Sequence, residues 1–357
     1  MNNLIKFGTF NILNTNYVHF NNGFCTKTNT VSDEDEIFRN SILIKLIENN
    51  EFDILFLQEV SHSFFDLLDK SILKEKFNLN KNNELLILTN KKIITEPNTI
   101  NTNIYLDNDK DKNFISKRIL AISCNLNGNN FLMINVHLPS NALYDKKVKV
   151  TKLVHNIIMK ETSDNLNDLN IIIAGDMNTE KYVFSNLYKQ FDIKSIINES
   201  IKSKFSTSFK MGKCEDGIFK LSDKNKRHFF IDDIYLSNNL SGSNINFISL
   251  YDSNYKFIDK PQTGNQLFKF ENQGTPYCNQ KTYADNGFCE INKTPNKYSY
   301  TFNNSDVKPW PSDHLLLYAT FNIENIGTIE NIGNIGNIRN IINILNNINN
   351  ILNIKKM

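Results

Sequence analysis

The sequence predicts an α/β (α+β) fold in which a sheet-rich core is covered by helices. Three observations carry that expectation. The stretch Ile171-Ile172-Ile173-Ala174-Gly175-Asp176-Met177-Asn178 is a continuous apolar run closed by a glycine, an acid and an amide. Such a run reads as a strand buried on both faces. Strand-like runs alternate with helix-like segments through the first half, and hairpin-like pairs follow in the second. The chain has 357 residues, 40% of them hydrophobic and 26 of them Phe, so it can bury a sizeable core.

Taken in order, Leu4 to Phe10 reads as a strand with Asn11 at its end. A polar loop runs from Asn14 to Val31. Ser32-Asp33-Glu34-Asp35 has the form of a capping box. The helix it opens runs to about Glu48, with Ile37, Leu43, Ile44 and Ile47 inward. Asp53 to Leu57 is a short apolar strand closed by Gln58-Glu59, and Ser63 to Leu73 reads as a second helix. Glu84 to Leu88 and Ile93 to Thr95 read as short strands around Asn90-Lys91, and Asn98 to Asn113 as a loop. Arg118 to Asn125 and Phe131 to Val136 suit a hairpin through Asn127-Gly128-Asn129, the strongest short hairpin signal. Lys146 to Lys160 is a basic helix. The central Ile run follows, then a helix near Val183 to Lys189 and a strand over Phe229 to Leu236. Residues 250 to 309 form a long insertion bearing Asn, Tyr and Lys, and long insertions are usually functional or disordered. Leu315 to Phe321 is the final strand.

Composition then changes. Isoleucine recurs every third position from Ile323 through Ile344, with asparagine filling most gaps. A three-residue period drifts by about 60° per step around an α-helix, so no fixed apolar face forms. Residues 1–322 therefore read as the folded domain. Residues 323–357 read as a low-complexity, disordered or weakly helical tail, with an interaction segment as the other reading. Lys and Arg number 40 against 38 Asp and Glu, a net charge of +2, which excludes a surface basic throughout but allows a local basic groove. Cys25, Cys124, Cys214, Cys278 and Cys289 are odd in number and form no Cys-x-x-Cys pair, so free thiols are expected. Cys278 and Cys289 are the one pair close enough to consider for a bridge. The N-terminus enters a strand directly, without a signal core, and no run approaches the roughly 18 apolar residues of a membrane span. An intracellular protein without a membrane span is the expectation.

Chemistry gathers at strand ends. Asn11, Glu59, His137, then Asp176 with Asn178, each follow an apolar strand, and Asp313-His314 precede the last one. If those ends share one edge, they form a cluster of three carboxylates, two amides and two imidazoles. Oxygen-rich clusters suit Mg²⁺, with Mn²⁺ as the alternative, whereas a zinc site more often uses three dedicated His or Cys ligands. Each residue alone also fits an ordinary turn or cap. Their recurrence in five segments at strand ends argues for a site.

The stretches Phe10-Asn11-Ile12-Leu13, Leu57-Gln58-Glu59-Val60, Asn135-Val136-His137-Leu138, Gly175-Asp176-Met177-Asn178, Phe230-Ile231-Asp232-Asp233-Ile234 and Pro311-Ser312-Asp313-His314 resemble, in this order, the motifs of the endonuclease/exonuclease/phosphatase superfamily. The resemblance covers roughly residues 4 to 322. It implies two packed mixed β-sheets flanked by helices, the four-layer sandwich of the deoxyribonuclease I type, and a Mg²⁺-dependent phosphodiester hydrolase. It assigns metal binding to Asn11, Glu59 and Asp313. It makes Asp176 the proton acceptor, Asn178 the orienter of water, His137 and His314 the phosphate-side imidazoles, and Asp232 the partner of His314. Asp233 rivals Asp232, because the family's usual Ile-Asp-Tyr-Ile is here Ile231-Asp232-Asp233-Ile234. Glu84 is a candidate to orient His137, and Arg118 a candidate for substrate phosphate or an ordinary strand-edge arginine.

Substrate is less fixed, because such folds host many functions. Phe10-Asn11-Ile12-Leu13 and Pro311-Ser312-Asp313-His314-Leu315 are most similar to nocturnin-like deadenylases, which points to RNA or DNA. A phosphoinositide phosphatase, a sphingomyelinase-like phosphodiesterase and a catalytically inactive binding module are the alternatives. Lys146-Lys147-Val148-Lys149 and Lys224-Asn225-Lys226-Arg227 suit a phosphate backbone, though each alone fits a solvated helix or loop face better. Tyr277, Tyr283, Tyr298, Tyr300 and Trp310 suit base stacking or packing of the insertion.

Overall fold

The computed structural model describes residues 4–14, 33–106, 110–139, 143–163, 169–179, 184–197, 208–210, 213–215, 218–221, 227–237, 240–251, 257–263, 298–301, 314 and 316–322. Several expectations fall outside these residues: the 15–31 loop, the Ser32 cap, Asp313, the Cys278–Cys289 pair, Lys224 to Lys226, Tyr277, Tyr283, Trp310 and the tail.

The chain opens with β1 (Leu4–Asn11), α1 (Asp33–Asn49), β2 (Ile54–Gln58), α2 (His62–Asp69), α3 (Leu73–Lys76), β3 (Phe77–Asn82), β4 (Leu85–Asn90) and β5 (Ile94–Thr99). A 3₁₀ turn at Thr102–Tyr105 and α4 (Lys112–Ser116) lead into β6 (Ile119–Leu126) and β7 (Asn129–His137). Next come α5 (Tyr144–Ser163), β8 (Leu169–Asp176), α6 (Ser185–Phe191) and β9 (Lys194–Ser195). Short strands β10 (Ser208–Lys210), β11 (Lys213–Glu215), β12 (Ile218–Leu221) and β13 (Arg227–Phe229) precede β14 (Asp232–Leu236), β15 (Ser241–Tyr251), β16 (Phe257–Thr263), β17 (Tyr298–Thr301) and β18 (Leu316–Asn322).

Two large mixed sheets result. One has seven strands in the order β16-β15-β18-β1-β2-β4-β3, the other six in the order β5-β6-β7-β8-β14-β9. Each contains one parallel pair, β1/β2 and β7/β8, flanked by antiparallel strands. The sheets pack face to face, with β1 against β8 and β2 against β7. Phe321 of β18 bridges them, edge-on to Phe7 with ring centroids 5.0 Å apart and stacked with Phe131 of β7 at 6.1 Å. A polar clasp lies between the layers too. The Gln58 amide nitrogen donates to Asn135 Oδ1 at 2.7 Å, and Asn135 Nδ2 donates to the carbonyls of Leu57 and Leu86. Buried amides with several partners fix the register of two layers better than grease alone.

Helices cover both outer faces. Leu43, Leu46 and Ile47 of α1 pack on Leu55, Leu57, Leu86 and Leu88. Val150, Leu153, Val154, Ile157 and Ile158 of α5 pack on Ile134, Val136, Ile171 and Ile173. The fold is thus the helix–sheet–sheet–helix sandwich that the sequence predicts. No helix among the described residues is long and apolar enough to cross a membrane.

Five local expectations need correction. Ile37 is 58% exposed, not inward. The first turns of α1 face the loop after β1, and buried Arg39 and Asn40 take the inward positions there, with the Arg39 guanidinium on the carbonyls of Ile12 and Leu13. The second helix does not run on to Leu73: it starts at the Ser61 cap, and α2 and α3 are separate. The polar 98–113 segment holds a 3₁₀ turn and α4 rather than a plain loop. Phe229 to Leu236 is two strands, broken where the Ile231 carbonyl turns aside to accept from Met177 N at 2.7 Å. Finally, β3 is an edge strand that sequence reading missed, because Phe77-Asn78-Leu79-Asn80-Lys81-Asn82 carries little β-branched or aromatic character.

Two backbone positions are set by glycine. Asn127 (φ 50°) and Gly128 (φ 87°) both lie in the left-handed region and join β6 to β7 in the tight turn that Asn-Gly favours. Gly175 has φ 152°, and a Cβ there would sit 1.8 Å from the Val136 carbonyl oxygen. Only glycine lets β8 press so closely on β7 just before Asp176.

Candidate active site

Parallel pairing decides where the functional side chains emerge. β1 and β2 end together, so Asn11 lies opposite Gln58 with Glu59 next. β7 and β8 end together, with His137 opposite Asp176. The antiparallel neighbours contribute their starts instead. Asp232 opens β14 opposite Asp176, and His314 precedes β18, whose Leu317 pairs with Thr9. All of these groups therefore reach one edge of the sandwich.

Asn11 stands between two carboxylates. Its Nδ2 donates to Glu59 Oε1 at 2.9 Å and to Asp176 Oδ2 at 3.1 Å, while its Oδ1 accepts from Leu13 N at 3.0 Å. In this geometry Asn11 acts as a donor. An amide oxygen carries two lone pairs, so the bond from Leu13 does not by itself bar Oδ1 from a cation. Glu59 has φ 57°, and its Oε2 accepts from Asn14 N at 3.3 Å. A non-glycine residue in the left-handed region costs free energy and is a frequent mark of a functional site.

His137 Nε2 lies 3.6 Å from Glu59 Oε1 and 3.7 Å from Asp176 Oδ2. Its Nδ1 faces Arg118 Nη1 at 3.2 Å. Arginine only donates, so Nδ1 must accept and the ring proton sits on Nε2, toward the carboxylates. Burial lowers the His137 pKa well below its ordinary value, and the positive charges of Arg118 and His314 push the same way. Arg118 is braced from behind, its guanidinium 4.9 Å from the centre of the Phe114 ring. Glu84 does not reach His137; it accepts from Asn14 Nδ2 at 2.9 Å. Arg118, not Glu84, orients that imidazole.

His314 Nδ1 is 2.8 Å from Asp232 Oδ2, and its Nε2 is 3.8 Å from Asp176 Oδ2. The carboxylate holds a proton on Nδ1 and turns Nε2 to the site. The rivalry between Asp232 and Asp233 is resolved by these contacts. Asp233 Oδ1 points away, accepting from Ser195 Oγ at 2.6 Å and Ile234 N at 2.8 Å.

Asp176 is the centre. It is 2% exposed, and its Oδ1 accepts from Asn178 N at 2.7 Å. Burial raises its pKa from 3.8 to about 6, against the pull of His314 and of the hydrogen bonds from Asn178 and Asn11. Asn178 (φ 48°) gives its Nδ2 to the Leu138 carbonyl at 2.9 Å and to Asp176 Oδ2 at 3.3 Å. A carbonyl only accepts, so the amide orientation is fixed and Oδ1 is the atom left to meet solvent or substrate.

The structure thus brings together Asn11, Glu59, His137, Asp176, Asn178, Asp232, His314 and Arg118. One contributor was missed. Lys147, read from the sequence only as part of a basic stretch, is 4% exposed and donates from Nζ to the Asn178 carbonyl at 3.0 Å. Its signal was its place on the apolar face of α5, three residues before Val150. Glu59 and Asp176 also suit a cation, with carboxylate oxygens within 4.8 Å of one another; His137 lies as close, but its Nε2 could join them only after giving up its proton. A cleft of about 400 Å³ opens beside His137 and Arg118, lined also by Asn14, His62, Glu84, Phe114 and Lys117.

No family model matches the sequence. Among curated proteins, the chain is 25% identical over 237 residues to the phenylalanine--tRNA ligase beta subunit of Mycoplasmopsis pulmonis, covering 66% of this chain. The match spans only 30% of that protein's length. Among solved structures, D. rerio TDP2 in complex with single strand DNA product matches with TM-score 0.51 at 13% identity, covering 90% of this chain and 99% of that one. The Bacteroides vulgatus endonuclease/exonuclease/phosphatase matches at 0.50 and 12%, covering 89% and 98%. The Bacteroides thetaiotaomicron mannosyl-6-phosphatase matches at 0.50 and 12%, covering 89% and 99%. The likeness is one of fold: two packed mixed sheets flanked by helices, in the arrangement of the deoxyribonuclease I type.

Proposed function

We propose that this chain is a divalent-cation-dependent phosphodiester hydrolase that cleaves nucleic acid by direct in-line attack of water. One observation supports this most: Asp176 is a buried carboxylate with its pKa raised to about 6, flanked by two imidazoles and a second carboxylate. A base poised near neutrality suits removal of a proton from water. Asn178 would aim that water through Oδ1. His137 and His314 would donate to the phosphate oxygens from Nε2, as preorganised stabilisation of developing charge requires. Arg118 would steady the substrate phosphate beside His137. Glu59 would hold Mg²⁺ or Mn²⁺ at the rim, and Asp313 belongs to the same assignment. The bound cation would supply Lewis-acid charge to offset that of the phosphate.

The solved complex of D. rerio TDP2 with single strand DNA product supports nucleic acid as substrate. The mannosyl-6-phosphatase neighbour favours a second reading, hydrolysis of a sugar-phosphate monoester. A hydrolysis screen with Mg²⁺, Mn²⁺ or EDTA separates them. It should cover RNA, single- and double-stranded DNA, phosphoinositides, sphingomyelin and mannose 6-phosphate. Cation-dependent cleavage of nucleic acid is expected. Full activity in EDTA, or hydrolysis of monoesters alone, would overturn the proposal.

A further inference from the structure

The first turns of α5 carry three lysines, and they do different work. Lys149 Nζ pairs with Asp111 Oδ2 at 2.7 Å, and Lys146 Nζ lies 4.4 Å from the centre of the Phe114 ring. Both hold α4 against α5. Lys147 instead turns inward, 4% exposed, with Val150, Leu153 and Val154 on the same buried face. Burying an ammonium costs free energy that an apolar side chain at that position would avoid. The charge is favoured by the Asp176 carboxylate, and the hydrogen bond shows what the ammonium holds. Nζ donates to the Asn178 carbonyl at 3.0 Å, and Asn178 is held at φ 48°, where an L-residue needs support. Every other polar group of Asn178 except Oδ1 is already tied, N to Asp176 Oδ1 and Nδ2 to Leu138 O and Asp176 Oδ2.

Resting on the hydrolase reading above, we propose that Lys147 is a positioning residue that fixes the Asp176–Asn178 turn and thereby aims Asn178 Oδ1 at the attacking water. Without the ammonium, the peptide after Asn178 is free to rotate toward ordinary backbone angles. The side-chain amide then leaves Leu138 O, and the water loses its guide. Displacement of about 1 Å at such a group can cost about 10²-fold in rate. Lys147 touches neither substrate nor cation in this account, so ground-state binding is untouched.

Lys147→Met keeps the aliphatic stem and removes the donor; Lys147→Arg keeps a cationic donor. Kinetics on the full chain use bis(p-nitrophenyl) phosphate with Mg²⁺. Hydrogen–deuterium exchange of the peptide spanning residues 174–179 supplies a readout independent of turnover. In Lys147→Met, kcat should fall about 10–10²-fold with KM and the Mg²⁺ midpoint unchanged. Exchange at 174–179 should speed up, and Lys147→Arg should restore most of both. Wild-type kcat or unchanged exchange in Lys147→Met overturns this inference while leaving the hydrolase reading in place. Wild-type protein that hydrolyses no phosphate ester overturns that reading, and this inference with it. Should Lys147→Met fail to fold, Lys147→Leu, which also removes the donor, carries the same comparison.

Discussion

The seven-stranded and six-stranded sheets each contain a parallel pair, and both pairs end at the same edge, yet they deliver different chemistry there. The seven-stranded sheet ends in Glu59, 8% exposed and in the left-handed conformation at the rim. The six-stranded sheet ends in Asp176, 2% exposed, its carboxyl raised to about 6 by burial. Two carboxylates at equivalent strand ends thus differ mainly in depth. The deeper carboxylate holds its proton closer to neutrality and can act as a base. Asn11 ties the pair by donating to both, so neither moves independently.

The largest expected effect tests the buried side. Asp176→Asn should lower kcat by about 10²–10⁴-fold, with KM changed little, in steady-state kinetics on a cleavable diester. If Asp176→Asn instead mainly shifts the cation titration, the roles of the two sheets are exchanged. Next comes the imidazole between them. His314→Ala should cost about 10²–10³-fold in kcat. Asp232→Asn, which acts mainly by holding His314 Nδ1, should cost about 10–10²-fold. Equal losses would show that Asp232 does more than orient the ring. Glu59→Gln probes the rim side. The Mg²⁺ midpoint should rise by about 10–10²-fold or more, with saturating cation restoring part of the rate. The smallest effect sharpens the difference in depth. Protonation of Asp176 should make kcat/KM fall as pH drops through about 6, and Asp176→Asn should erase that limb. The sign for stability is opposite to the common acid case. Between 3.8 and about 6 the folded protein binds a proton that the unfolded chain does not, so unfolding free energy falls as pH rises through this window. Urea midpoints measured across it should show that trend for wild type and not for Asp176→Asn.

Much of this edge was legible because period and residue type agree there. Apolar runs of strand length end in Asn11, Glu59, His137 and Asp176, and the Asn127-Gly128 turn announces its hairpin. What stayed hidden depended on tertiary contact. Lys147 reads as one of several surface lysines until the packing of α5 on the six-stranded sheet turns it inward. Ile37 reads as a core residue, yet the loop after β1 brings buried Arg39 and Asn40 to that end of α1. The choice between Asp232 and Asp233 needed the register of β14, where Asp232 lies opposite Asp176. Arg118 reads as either a phosphate ligand or a strand-edge residue until Phe114 and His137 come to either side of it.

The place of β18 has a consequence for how the protein is made. It lies between β15 and β1, and its register joins Leu4 to Asn322. The first strand of the domain therefore waits for the last, and until β18 arrives one edge of β1 is bare. Such long-range pairing is slow, and an unpaired strand edge invites pairing with other chains in the interval. His314 travels with β18, so the candidate site is incomplete until that docking occurs. On refolding from denaturant, helical signal should return before hydrolytic activity, and crowding of half-folded chains should cost yield rather than specific activity.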